Sequence, residues 1–291
     1  VAGYVFILPT ILLYLCLTII PIIVTFSLSF MDYDLVKPST FIGFDNYIKL
    51  FQDSRLGQVA LNTVLFALMS VVGNVGIGLL LAVILNRKMP KFFVNFFRFS
   101  FFLPVVIGYV YVSIVWSNLY STDTGVFNYF LSLLGLEKVG WLTNKSIVLF
   151  SIILMDIWKN AGFFMVIFLA GLQNVPRVYH EAAEIDGANA WQRFWHVTFP
   201  SMTPIIFYNM LMSLITNMQV VTPALALTKG GPGKSSYFMS YMLYNYAFKQ
   251  RGKIGLACAI AFVLFLLIGA FTLLLFATSK SWIFYEGGDD K

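Results

Sequence analysis

Few residues in this sequence have the types and spacing that covalent or metal chemistry requires. His180 and His196 are far apart, and neither belongs to a cysteine or carboxylate array with metal-ligand spacing. Gly233-Lys234-Ser235 has the ending of a nucleotide-binding phosphate loop, but Thr228 stands where that pattern requires its first glycine. We therefore expect no metal, no ATP site and no cofactor in this chain. Its energy must come from a partner or from a gradient.

Two ionisable residues, Asp156 and Lys159, lie inside a long apolar run. Ionisable groups at membrane depth are costly and usually have a function. Their i, i+3 spacing places them on one helical face, where they could neutralise each other as an intramembrane charge pair. We favour this structural pairing, and the alternative is that the pair handles a proton or a substrate.

A polar stripe is predicted in a later apolar run, where Asn209, Ser213 and Asn217 recur every four residues with Gln219 close by. Hydrogen bonds between helices would explain such a stripe. The alternative is the lining of a water-filled path for a hydroxyl-rich solute, because amides and hydroxyls both donate and accept hydrogen bonds. Tyr109 could offer its ring face to a sugar in the same path, although aromatic packing is the simpler explanation.

The composition shows what positions these residues. Of the 291 residues, 59% are hydrophobic and only 11% are charged, whereas about 25% charged is typical of soluble domains. A membrane crossing needs about 20 apolar residues. Six runs qualify: 3–30, 59–85, 99–119, 147–172, 202–228 and 255–279. The prediction is an all-α integral membrane protein with six transmembrane helices. Its net charge of +6 is modest and favours anionic membrane lipid, not nucleic acid, as a partner.

Polarity is concentrated in the segment 175–200, between two apolar runs. Asn174 can cap a helix, Pro176 fits its first turn, and Gly187 suits a left-handed residue just after its end. Asn189 followed by Gln192 resembles a second capping signal. The segment is therefore predicted to form a helix over about 176–186 and a second short helix after it, both at a membrane surface.

The residue order in this segment resembles the EAA loop of ABC importer permeases. The matching residues are Glu181-Ala182-Ala183, Asp186-Gly187-Ala188 and Phe199-Pro200, with Phe199 where leucine is usual. Further matches are Gly43-Phe44-Asp45-Asn46-Tyr47, Leu50-Phe51, Asn62-Thr63, Leu85-Asn86-Arg87, Phe102-Leu103-Pro104, Leu169-Ala170-Gly171-Leu172-Gln173 and Thr228-Lys229-Gly230-Gly231-Pro232. The set covers nearly the whole chain and is similar to the carbohydrate-importing branch, which includes the maltose and glycerol-3-phosphate permeases.

The resemblance implies the type I importer permease fold, with residues 1–291 as one transmembrane domain and an EAA loop at about 174–200. It implies a second homologous permease, two ATPase subunits that bind ATP and Mg, and an extracytoplasmic solute-binding protein. In the EAA loop, Glu181 would contact a basic group of the ATPase, and Ala182, Ala183 and Gly187 would permit close packing, with Asp186 beside them. The implied cargo is a sugar, an oligosaccharide or a polyol.

The orientation of the chain is not decided by its loop charges, because lysine and arginine are similarly frequent in both sets of loops. The loop that carries Arg87, Lys88, Lys91 and Arg98 has no acid and favours the cytoplasmic side, as does the resemblance. We therefore expect a multi-pass protein of the cytoplasmic (inner) membrane with both termini inside. Two other classes remain open: an ion-gradient-driven secondary transporter using Asp156 and Lys159, and a membrane scaffold or enzyme.

Overall fold

A computed structural model describes residues 2–36, 38–87, 89–250 and 253–284 of the chain. Lys88 of the acid-free loop and the end of the tail (285–291) lie outside the described residues. The described part is mostly helical, as the composition predicts. A single antiparallel pair of two-residue strands, in which Met31 faces Phe41, is its only sheet.

The helices and strands follow each other in a simple order. They are α1 (Ala2–Tyr14), α2 (Ile20–Leu28), β1 (Met31–Asp32), β2 (Thr40–Phe41), α3 (Asp45–Gln52), α4 (Leu56–Leu85), α5 (Lys91–Val106), α6 (Tyr109–Leu119), α7 (Val126–Leu133), α8 (Val148–Asn174), α9 (Arg177–Ile185), α10 (Ala190–Arg193), α11 (Phe199–Met218), α12 (Met239–Tyr244) and α13 (Ile254–Ser279). Short π-helical segments adjoin them at Leu15–Ile19, Phe194–Thr198, Ala224–Thr228 and Asn245–Lys249.

The long helices α4 and α8 form the centre of the protein, with α11 packed against α4 and α5 packed against α8. Glycine permits the closest approaches, as small residues do between membrane helices. A Cβ on Gly78 of α4 would lie 2.6 Å from the Cβ of Phe164 on α8. A Cβ on Gly162 of α8 would lie 1.9 Å from the carbonyl oxygen of Phe101 on α5. These backbones could not approach so closely with any larger residue.

Four described helical segments are long and apolar enough to cross a membrane: Phe6–Leu28, Leu56–Leu85, Val148–Asn174 and Ile254–Ser279. The first is a continuous span through α1, the π-helical segment and α2, and its apolar surface faces outward because none of its most apolar stretch is buried in the chain. The pair α5 and α6 forms a fifth span if it is counted as one. The sixth predicted crossing falls on α11, which is not among the described helices that are long and apolar enough to cross a membrane.

Two of the predicted crossings have wrong boundaries. The run 99–119 is not one straight helix, because α5 and α6 meet at an angle of 102°. Pro104 removes a backbone N–H, and the extended conformations of Ile107 and Gly108 then break the helix. The run 202–228 is helical only to Met218, where α11 ends, and a π-helical segment follows Pro223. Polar residues also make α11 less apolar than α4, α8 and α13.

Candidate functional site

The EAA segment forms the two predicted short helices, but the predicted cap at Asn174 is wrong: Asn174 ends α8, and Pro176 is the N-cap of α9 without a side-chain hydrogen bond. The first is α9, which begins at Arg177 and ends at Ile185, within one residue of the predicted bounds. Gly187 follows it with φ +79°, and the amide of Ala188 donates to the carbonyl of Ala183 at 2.9 Å. This is a glycine-dependent helix end, because a left-handed residue lets the chain turn back and satisfy the last carbonyls.

The second short helix, α10, begins with a capping box. The amide of Gln192 donates to the side chain of Asn189 at 3.0 Å, and the amide of Asn189 donates to the side chain of Gln192 at 2.8 Å. The predicted capping signal is therefore confirmed. The helical path then continues through Phe194–Thr198 into α11, so the end of the EAA segment is continuous with that long helix.

The outer face of α9 is available to a partner. Glu181 and Ala182 are exposed and Ala183 is half-buried. Glu184 pairs with Arg193 and so joins α9 to the end of α10. Within the described residues, by contrast, the Glu181 carboxylate has no hydrogen-bond or ion-pair partner.

A small open concavity with a volume of about 270 Å³ lies beside this helix pair. Ala183, Asp186 and Gly187 contribute to its wall, together with Gln192 and His196 of the following segment. Three of the five predicted EAA residues therefore meet at one concavity, and Glu181 and Ala182 are exposed on the same short helix.

A second polar site is buried between the membrane helices and is centred on Asp156 of α8. The hydroxyl of Tyr109, the first residue of α6, donates to this carboxylate. Asn74 of α4 donates to it at 3.1 Å, and Asn160 donates to it at 2.9 Å. Asn160 also donates to the Tyr109 hydroxyl at 2.7 Å. The site thus connects three helices through one fully buried carboxylate.

Lys159 lies beside this network with different partners. Its Nζ donates to the carbonyl oxygens of Val105 at 3.1 Å and Pro104 at 3.4 Å, and lies 4.7 Å from the centre of the Tyr109 ring. Within the described residues, Asp156 and Lys159 thus form no direct ion pair, although they still interact electrostatically across one helical turn. The reason is the break after α5. It leaves the last carbonyl groups of that helix without donors from a following turn, and the amino group of Lys159 donates hydrogen bonds to them instead.

The predicted polar stripe on α11 is also buried. Asn209, Ser213 and Asn217 all lie inside the protein, whereas Gln219 is exposed. Asn209 donates to the carbonyl of Ile205 at 3.0 Å, and Asn217 donates to that of Ser213 at 2.9 Å. These bonds stay within one helix, and the side-chain oxygen of Asn209 has no partner. No described hydrogen bond joins the stripe to Tyr109 or Asp156.

Sequence reasoning missed Asn74 and Asn160 as members of the buried site. An amide inside an apolar run was the available signal, but its spacing gives no cross-helix partner. It also missed what Asn62 and Thr63 do. Asn62 donates to the carbonyl of Lys234 at 2.9 Å, and the Thr63 hydroxyl accepts from the amide of Met239 at 2.9 Å. These contacts attach the glycine-rich loop before α12 to α4.

A third polar cluster lies just before α4, outside the membrane spans. Arg55 binds Asp53 at 2.5 Å and donates to the hydroxyl of Tyr246 at 2.5 Å. Hydrogen bonds from Arg55 hold the pKa of the Asp53 carboxyl below its usual value, against the effect of burial. The cluster ties the start of α4 to the π-helical segment that precedes α13.

The chain belongs to the family of binding-protein-dependent transport system inner membrane components, whose model matches residues 74–281. It is therefore a membrane permease of an ABC importer, a transport subunit rather than an enzyme, with the fold of the type I importers.

Individual relatives match over nearly the whole chain. The chain is 40% identical to the probable ABC transporter permease protein YesP of Bacillus subtilis, over 99% of this chain and 94% of that protein. It is 31% identical to the trehalose/maltose transport system permease protein MalF of Thermococcus litoralis, over 93% and 91%. It is 32% identical to the lactose transport system permease protein LacF of Rhizobium radiobacter, over 96% and 94%.

A solved structure has the same fold. It is the crystal structure of a bacterial ABC transporter involved in the import of the acidic polysaccharide alginate, with a TM-score of 0.82 and 25% identity over 96% of this chain and 95% of that one. A second crystal structure of a bacterial alginate ABC transporter, also with a TM-score of 0.82, is a complex with a periplasmic protein bound to an alginate pentasaccharide.

Proposed function

We propose that this permease moves a sugar or an oligosaccharide across the cytoplasmic membrane. The observation that carries this proposal is the match over more than nine-tenths of the chain to permeases named for trehalose and maltose and for lactose. The alginate transporters support the same class of cargo, because their cargo is also a saccharide chain.

The proposed energy coupling is supported by the geometry of α9. Glu181 is exposed and unpaired among the described residues, and Ala182 and Ala183 leave little side-chain bulk beside it. A partner ATPase could therefore pack closely against α9, with a basic group near Glu181. ATP and Mg would bind to two such ATPase subunits, and their closure would move α9 and, through α10, the membrane helix α11.

The proposed cargo path runs between this chain and a second homologous permease. Tyr109 and the stripe Asn209, Ser213 and Asn217, with Gln219 at its exposed end, would line this chain's part of the path. Asn209, Ser213 and Asn217 are buried here, so they would reach cargo only in a conformation that opens α11 to the path; the unpartnered oxygen of Asn209 would then accept from a cargo hydroxyl. Asp156 would act by holding the Tyr109 hydroxyl in place.

The proposed assembly contains two permeases, two ATPases and an extracytoplasmic solute-binding protein, with both termini of this chain inside and residues 1–291 forming one transmembrane domain. The exposed α9 and the acid-free loop around Arg87 support the cytoplasmic position of the EAA segment. The exposed apolar surface of the first span supports a lipid or permease partner there.

Uptake by reconstituted vesicles tests the proposal. The chain is assembled with its candidate partners, and uptake of labelled maltose, lactose and alginate oligosaccharides is measured with ATP inside the vesicles. We expect uptake of at least one saccharide that needs ATP and the solute-binding protein. Uptake that follows a proton or sodium gradient without ATP would overturn the proposal in favour of a secondary transporter. If no saccharide were taken up but another solute were taken up with ATP, only the cargo assignment would be overturned.

A further inference from the structure

An open groove of about 840 Å³ separates the last turns of α4 from the EAA segment. One wall consists of Leu80, Val83 and Ile84 of α4. The opposite wall contains Trp191 of α10 and Phe194 just after it. We call this the α4–α10 groove. It is distinct from the smaller concavity and shares only Arg193 with it.

The groove is apolar along its length and exposed. Leu80 is 57% exposed and Trp191 is 69% exposed. Aliphatic side chains at this level of a membrane helix face hydrocarbon, and tryptophan is enriched where hydrocarbon meets the head groups. The walls are therefore suited to an acyl chain, with the head group near Trp191.

Two arginines give the lining a positive charge. Arg87 and Arg193 both line the groove, and the lining contains no carboxylate. Arg193 is paired with Glu184, which lies outside the lining. The side chain of Arg87 is exposed and has no hydrogen-bond or ion-pair partner among the described residues. One uncompensated guanidinium group thus faces the place where a lipid phosphate would lie.

We propose that the α4–α10 groove binds an anionic phospholipid, with its phosphate at Arg87 and an acyl chain along α4. Basic pockets between membrane helices on the cytoplasmic side are suited to anionic head groups. An arginine fork matches phosphate geometry. An apolar helix of a partner protein would cover the walls but would leave the Arg87 charge without a counter-ion. The charge at the rim therefore favours lipid.

The position of the groove gives the lipid a consequence for coupling. Its two walls are the end of α4, which belongs to the central helix pair, and α10 with the residues just after it. A lipid between them would brace the EAA segment against α4. This inference depends on the proposed orientation, in which the EAA segment is cytoplasmic, but it does not depend on the cargo.

Fluorescence quenching tests the site in the assembled transporter. The complex is placed in phosphatidylcholine nanodiscs that contain a minor fraction of phosphatidylglycerol with brominated acyl chains, or the same fraction of brominated phosphatidylcholine. We expect stronger tryptophan quenching by the brominated phosphatidylglycerol, and we expect Trp191→Phe to remove the difference. Neither ATP nor cargo is present, so a wrong cargo assignment would not change this result.

Two charge variants identify the head-group contact. Arg87→Gln should weaken the preference for phosphatidylglycerol about fivefold, as expected for one arginine near an anionic surface. Lys91→Gln is the matched control, because Lys91 is exposed near the same membrane surface but does not line the groove. Equal quenching by the two lipids, or a preference that survives Arg87→Gln, would overturn the proposal. The proposal would also be overturned if neither brominated lipid quenched the fluorescence of Trp191 in the complex, since a protein would then occupy the groove.

Discussion

Asp156 and Lys159 lie one turn apart on α8, yet they bind the two sides of the break between α5 and α6. Lys159 donates to the carbonyl of Val105 at 3.1 Å, near the end of α5, whereas Asp156 accepts from Tyr109, the first residue of α6. The bend of 102° is therefore held from one helix by the Lys159 amino group on one side and the Asp156 carboxyl group on the other. Each group also satisfies backbone or side-chain groups that the break leaves inside the protein.

The Tyr109 hydroxyl is the link whose removal is easiest to interpret. Tyr109→Phe keeps the ring but removes the bonds to Asp156 and Asn160, so we expect a loss of about 1–2 kcal/mol in the free energy of unfolding. Thermal unfolding of the purified permease in detergent measures it. Tyr111→Phe is the control, because Tyr111 is 70% exposed and its substitution should leave the free energy of unfolding unchanged. Equal stability of the two variants would show that the hydroxyl does not hold α6.

Gly162 is expected to be essential for the approach of α5 to α8. Gly162→Ala should lower the free energy of unfolding by about 1–3 kcal/mol, because its Cβ would overlap the carbonyl oxygen of Phe101 and force the helices apart. Gly269→Ala is the matched control. Gly269 lies within α13 and has nothing within 4 Å of an added Cβ, so that substitution should be neutral or slightly stabilising. Comparable losses in both variants would contradict the close packing described.

Glu181 is expected to matter for coupling and not for folding. Glu181→Gln should lower ATP-driven uptake by roughly tenfold or more, as expected when a charge is removed from an interfacial pair. Stability should be unchanged, since the carboxylate has no described partner within the chain. Glu137→Gln is the control, because Glu137 is also exposed but lies in a loop on the opposite side of the membrane in the proposed orientation. Uptake that is equal in the two variants would remove Glu181 from the coupling site.

Local signals in the sequence were sufficient for the EAA segment. Gly187, Asn189 and Gln192 act on backbone groups a few residues away, so their spacing predicts the end of α9 and the capping box of α10 directly. Asn174 is the exception, because it ends α8 instead of capping α9. Apolar length likewise predicts α4, α8 and α13 as crossings. That Glu181 contacts an ATPase stays a prediction, because it concerns another chain.

The buried site on α8 could not be predicted in the same way. The i, i+3 spacing brings Asp156 and Lys159 to one face but does not show which other helices face them. Asn74 and Tyr109 are distant in sequence and become partners only after α4, α6 and α8 pack. The 102° bend has a local cause in Pro104 and Gly108, but tertiary contacts decide whether a proline kinks a membrane helix or breaks it.

The cluster of Asp53, Arg55 and Tyr246 predicts a pH-dependent stability. The pKa of Asp53 is lowered in the folded protein, chiefly by hydrogen bonding to Arg55. A lowered pKa means that the carboxylate stabilises the fold above the unfolded value of about 3.9, and that this stabilisation is lost as the pH falls through the lower folded value. Wild type should therefore unfold at a higher temperature than Asp53→Asn at neutral pH. The two should converge in acid.

The measurement is the thermal midpoint of both proteins in detergent at a series of pH values. Asp123→Asn serves as the control, because the ion pair of Asp123 with Lys138 spans 3.8 Å and its carboxylate is 88% exposed, so it should contribute little at any pH. A difference between wild type and Asp53→Asn that persists below the titration of the carboxyl would show that the aspartate acts through its shape. In that case the link from α4 to the segment before α13 would not depend on the Asp53 charge.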